Sequence, residues 1–129
     1  MVQVFIYGLE ESLNQIKQDL SEILHMCIVQ AFQIPKEKKF HRFFPLKKEN
    51  FFFPSGRSKY YTIIEIMMFE GRSVETKKNL IKILFKKIEE NLAISPNDIE
   101  IVMLESPKYN WGIRGQSGDD LNLNYKTDL

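Results

Sequence analysis

The chain is expected to fold as one α+β domain: two β-α-β repeats forming a four-stranded mixed sheet, with two helices on one face. Two observations lead there. Apolar residues recur at helical spacing in two segments, each flanked by strand-like runs. The second half also repeats landmarks of the first 61 residues later, since Ser12 and Ser73 open the helical patterns and Pro35 and Pro96 follow them. The 129 residues suffice for one domain with a real core. The repeat units are expected at about 2–46 and 60–105, followed by a C-terminal tail over 106–129 that closes on a polar stretch, Leu121 to Leu129.

Taken in order, Val2 to Tyr7 reads as a strand. Leu13, Ile16, Leu20, Ile23, Leu24, Cys27, Ile28 and Ala31 then share one face of a first helix, with Ser12 as the expected N-cap and Pro35 beyond its end. Phe40 to Leu46 is the second strand. Lys47 to Lys59 is a loop carrying Phe51, Phe52 and Phe53. Tyr60 to Phe69 is the third strand. The second helix buries Leu80, Ile81, Leu84, Phe85, Ile88 and Leu92 behind the N-cap Ser73, and Ile99 to Leu104 closes the repeat. At the offset of 61, Leu13 falls on Val74, Leu20 on Ile81 and Leu24 on Phe85. The third strand is apolar on both alternations except for Thr62 and Glu65, whereas a strand with one wet face alternates cleanly. Two helices cover one face only, so the other is expected to pack on further subunits. A ferredoxin-like fold has the same element order and stays open at this point.

Composition excludes several classes. A formal net charge of +1 provides no field for a polyanion, so nucleic acid is not expected as a partner, and the local cluster Lys36 to Lys48 reads as a solvated surface. The lone Cys27 forms no internal disulfide and falls on an apolar helix face, which fits a core residue in a reducing compartment. No apolar run is long enough for a membrane helix, and the first residues lack the pattern of a secretory signal, so a cytoplasmic location is expected. His25 and His41 with one distant cysteine make no metal signature, and no metal site is expected. Phosphate-binding glycine motifs and a Gly-x-Ser-x-Gly elbow are absent.

Four segments carry a more specific signal: Ala31-Phe32-Gln33-Ile34-Pro35, Phe69-Glu70-Gly71-Arg72-Ser73-Val74-Glu75-Thr76-Lys77-Lys78, Ile94-Ser95-Pro96-Asn97-Asp98-Ile99, and Glu105-Ser106-Pro107-Lys108-Tyr109-Asn110-Trp111-Gly112. In this order and spacing they resemble the tautomerase superfamily, in particular the long-chain proteins related to malonate semialdehyde decarboxylase. The resemblance implies a homotrimer of doubled β-α-β protomers and a small carboxylate-bearing keto or enol substrate held by arginine. It also implies an N-terminal proline acting as base or acid, without cofactor. This chain departs from that pattern: residue 2 is Val2, Lys38 stands where the decarboxylase branch has aspartate, and Glu70 stands where it has the first of two arginines.

The candidate residues follow. The proton carrier would be the α-amine of Met1, or of Val2 if Met1 is removed, since an apolar pocket or nearby cation lowers an amine toward neutrality. Arg72, beside Gly71 at a helix N-terminus, is the expected carboxylate clamp. Lys38, Arg42 and Arg114 are further cations for an acidic ligand, and Trp111 is a candidate pocket wall. The expected activity is that of a tautomerase-like isomerase, or of a related decarboxylase-like lyase. The alternative is a non-catalytic trimer that binds a small acid or only supports assembly, which would account for the missing proline.

Overall fold

In the computed structural model, which describes residues 1–129, strand β1 (Val2–Leu9) runs straight into helix α1 (Glu10–Phe32), and β2 (His41–Leu46) follows. The second unit is β3 (Thr62–Phe69), α2 (Val74–Leu92) and β4 (Ile99–Ser106), and a short hairpin of β5 (Gly112–Ile113) and β6 (Gln116–Ser117) comes after it. The sheet order is β2-β1-β3-β4. β1 and β2 pair in parallel, as do β3 and β4, while β1 and β3 meet antiparallel at the centre. Parallel pairing within each unit removes the ferredoxin-like alternative, whose β-α-β units are split so that the two strands of a unit are not neighbours.

The alternation of the central strands decides what is buried. Val2, Val4 and Ile6 on β1, with Ile64, Ile66 and Met68 on β3, join Leu20, Leu24, Ile28, Leu80, Leu84 and Ile88 of the helices in one core. Cys27 lies in the same core, where burial pushes its thiol up to about 11, so it stays a protonated packing residue at neutral pH. The opposite face presents Phe5, Tyr7, Phe44, Ile63, Met67, Val102 and Leu104, with Gln3, Arg42, Glu65, Glu100 and Ser106 among them. No helix covers it. Phe44, stacked on Tyr7 at 4.8 Å, remains exposed, as do Val102 and Leu104. The apolar second face expected from β3 is therefore present.

The repeat itself is in a different register. The strands and helix ends align at an offset of 60: Val2–Leu9 on Thr62–Phe69, Leu20 on Leu80, Leu24 on Leu84, Ile28 on Ile88 and Ile34 on Ile94. Both helices end on a left-handed residue, Gln33 and Ala93, each at φ 54°, whose N–H donates to the carbonyl four residues back. The offset of 61 fails at the helix starts: it pairs Leu13, 1% exposed, with Val74, 65% exposed. Ser73 does cap α2, its Oγ accepting from the Thr76 N–H at 3.1 Å. Ser12 caps nothing. It lies inside the first turn of α1, whose N-cap position is Leu9 without a side-chain cap. The physical reason is local. Glu10 and Glu11 favour a helix N-terminus and let α1 start at once. Sixty residues on, Gly71 at φ +127° breaks the helix, so Glu70 to Ser73 form an open turn.

Candidate functional site

That open turn aims Arg72 inward. The residue is 4% exposed, and its guanidinium lies 4.2 Å above the Phe32 ring at the end of α1. Nε, Nη1 and Nη2 have no hydrogen-bond partner. Neighbouring acids do not serve it: Glu105 is held by Lys77 at 2.8 Å. Burial drives the guanidinium below its ordinary pKa, with Tyr125, Glu105 and Asp128 acting in the other direction. A buried cation with every donor free is the arrangement a bound anion would complete, because leaving such a group desolvated and unpaired is strongly unfavourable. Planar donors suit a carboxylate.

The amine of Met1 lies in the field of this cation. Met1 is 5% exposed, and its carbonyl accepts from the Phe69 N–H at 3.4 Å. Its amine is lowered from 8.0 to about 5, first by burial and then by Arg72, Lys108 and Lys38. At pH 7 it is a free base with a lone pair. With Met1 in place, the Val2 nitrogen is a strand amide and its side chain is in the core.

Lys108 was not singled out by sequence reasoning. It starts the 3-10 turn Lys108–Asn110, and its Nζ lies 5.9 Å from the Phe69 ring. A cleft of about 710 Å³ runs past Gly71, Lys108, Tyr109 and Tyr125. The hairpin closes tightly on this turn, for a Cβ at Gly118 would overlap the Lys108 carbonyl. Trp111 stands behind it, its Nε1–H donating to Ser106 Oγ at 2.8 Å and its ring meeting Phe69 edge-on at 5.2 Å. The signal that could have found Lys108 is the repeat: Lys48-Glu49-Asn50 and Lys108-Tyr109-Asn110 are 3-10 turns 60 residues apart.

Of the expected site residues, Arg72 and Lys38 thus act by charge on the Met1 amine, and Trp111 packs on Phe69, whose N–H bonds the Met1 carbonyl. The other two expected cations take different positions. Arg42 is on the uncovered sheet face, donating to Gln3 Oε1 at 3.2 Å and lying 4.8 Å over Phe5. Arg114 is exposed at the turn of the β5–β6 hairpin with φ 51°, where its charge acts on Tyr125. His41 is lowered to about 4, first by burial, and its Nδ1 is hydrogen-bonded with Ser21 Oγ at 2.8 Å. No group of three metal-ligating side chains occurs, and no helix is long and apolar enough to cross a membrane.

Fold and site together define a doubled β-α-β protein with a buried amine in the field of a buried arginine. The chain belongs to the tautomerase enzyme family, whose pattern it matches over residues 38–114. It is 35% identical over 57 residues to a 2-hydroxymuconate tautomerase of Comamonas testosteroni, a stretch covering 44% of this chain and 90% of that protein. Its fold is that of native fused 4-OT, with a TM-score of 0.81 at 18% identity over 92% of this chain and 98% of the other. It is also that of a malonate semialdehyde decarboxylase, with a TM-score of 0.79 at 19% identity over 88% and 92%.

Proposed function

We propose that this chain is a cofactor-independent isomerase of the tautomerase class, acting on a small keto or enol acid. The observation that carries the reading is the buried Arg72 guanidinium with all three nitrogens free, whose charge acts on an amine of pKa about 5. Arg72 takes the substrate carboxylate. Lys108 and Lys38 add positive potential, which keeps the amine unprotonated and stabilises negative charge on an enolate oxygen. The Met1 amine accepts a proton from carbon or from the enol oxygen and returns it to the other, so the reaction is a net proton shift with no redox step. Trp111 and Phe69 form the apolar wall that supports the amine's low basicity.

Assembly belongs to the same reading. Related folds are described as fused 4-OT trimers, and the uncovered apolar face of this sheet fits association of copies into a homotrimer. Light scattering would read about three times the 15.3 kDa chain mass; a monomer overturns the assembly.

The activity test is ketonisation of phenylenolpyruvate. Turnover above buffer, lost in Arg72→Ala, supports the isomerase. The absence of proline at position 2 favours the second reading, a non-catalytic acid-binding trimer. Saturable binding of pyruvate, lost in Arg72→Ala and without turnover of any enol acid, would decide for it. Absence of both binding and turnover would overturn both readings.

A further inference from the structure

The end of the chain covers the Arg72 corner, and it is held there weakly. Residues 122–129 contain no helix or strand. A single backbone hydrogen bond joins them to the rest of the molecule, from the Ser73 N–H to the Leu129 oxygen at 3.2 Å. No side-chain hydrogen bond reaches them. Their hold is otherwise by packing: Tyr125 lies against the core, Thr127 is 6% exposed, and the backbone at Thr127 and Asp128 passes close over Gly71. A Cβ built at Gly71 would meet the Thr127 oxygen at 3.5 Å and Asp128 at 3.8 Å, which is ordinary packing distance and places the segment directly over this turn.

Two features of this covering conflict with a permanent closure. First, it buries a guanidinium without giving it one hydrogen bond, although Asp128 is close enough to act on its charge. Burying a cation unpaired is among the least favourable arrangements a fold contains. Second, the Leu129 oxygen occupies a free N–H of the α2 N-terminus, the kind of donor an anion's oxygen would use beside Arg72. The tail therefore fills the ligand's place at the helix end while leaving the arginine unsatisfied. At the equivalent corner of the first repeat nothing corresponds to it. There the chain continues into β3, and the cleft of about 550 Å³ beside Lys48 and Phe51 has no tail residue in its lining.

We propose that residues 121–129 are a removable strap over the Arg72 site, one that competes with an acidic ligand for the α2 N-terminus and must lift before the ligand reaches the guanidinium. Tyr125 is its anchor, and Gly71 is the track on which it lies. The strap itself stands on packing and hydrogen bonding alone; its competition with an acid rests on the proposed function above.

Labelling of arginine by phenylglyoxal, read by peptide mass spectrometry, tests the strap without any ligand. Exposed Arg57 serves as the internal standard. Arg72 should react slowly in the full chain. In the chain lacking residues 121–129, and in full-length Tyr125→Ala, its rate relative to Arg57 should rise at least about tenfold, equivalent to about 1.4 kcal/mol removed from opening. An unchanged ratio in both variants, with native circular dichroism, overturns the strap. If the shortened chain does not fold, Tyr125→Ala decides alone. Pyruvate is then added. Protection of Arg72 with faster onset in the variants supports competition for the site. Accelerated labelling with no protection at any pyruvate concentration leaves the strap standing and overturns the acid-binding reading instead.

Discussion

The two repeats place two corners of the molecule in equivalent positions, and only one of them has become charged. In the second corner stand Met1, Phe69, Arg72, Lys108 and Trp111. Sixty residues away in each case stand Tyr61, Leu9, Ser12, Lys48 and Phe51. The scaffolding is shared: a left-handed helix end, a buried isoleucine after it (Ile34, Ile94), and a 3-10 turn of Lys-x-Asn form. The chemistry is not. Tyr61 is a mid-chain residue with no amine, buried against Phe51 and Phe53. Ser12 is buried with its Oγ unpartnered, as the Arg72 nitrogens are, yet it carries no charge to attract an acid. Duplication kept the frame, and one broken helical turn at Gly71 made the site.

Substituting the equivalent members of each corner would break or sharpen that contrast. The largest effect is expected at Arg72. Arg72→Ala should lower kcat/KM for an enol acid on the order of a thousandfold, as loss of a buried charge-assisted pair does, while Ser12→Ala changes it little. A comparable loss in both would dissolve the contrast. Arg72→Met should meanwhile raise thermal stability, by about 1–3 kcal/mol in a denaturant titration, since it removes a buried cation that nothing in the fold pairs. A site selected for folding would show the reverse.

Gly71→Ala comes next. The positive φ of +127° makes a destabilisation of about 1–2 kcal/mol the expected result, whereas Glu11→Ala at the equivalent helical position should stay within about 0.5 kcal/mol. Equal melting curves for the two variants would remove the role given to the broken turn.

A subtler difference should appear in pH. The Met1 amine, lowered from 8.0 to about 5, should keep the rate flat through neutrality and lose it as pH falls through about 5, where the amine takes up its proton. Lys108→Met removes a cation that opposes protonation, so that limb should move to higher pH, while Lys48→Met leaves it in place. The same shift has a stability signature. Between pH 8 and 5 the unfolded chain binds the proton and the folded chain does not, so stability should decline as pH falls across that window. The smallest expected effect is at Trp111→Phe, which loses the bond to Ser106: about 1 kcal/mol of stability, and little change in rate.

Much of this was legible in the order of residues. Period-2 and 3.6-residue patterns are local consequences of backbone geometry, so the four strands, both helices and the greasy second sheet face could be read before folding. Arg72 was legible as well, because Gly71 and Ser73 mark a turn and a helix start on either side of it. The exact repeat register, the uncapped start of α1 and the contributions of Lys108 and Tyr125 were not, for these depend on which distant segments close on one another. Arg42 shows the same limit from the other side: a cation's type is written in the chain, but its direction is set by the strand face it lands on. Burial, which lowers the Met1 amine and strips Arg72 of partners, is a property of neighbours brought from Phe32, Phe69 and the chain's end. No pattern along the backbone encodes that enclosure, since desolvation depends on distance in space and not on separation in sequence.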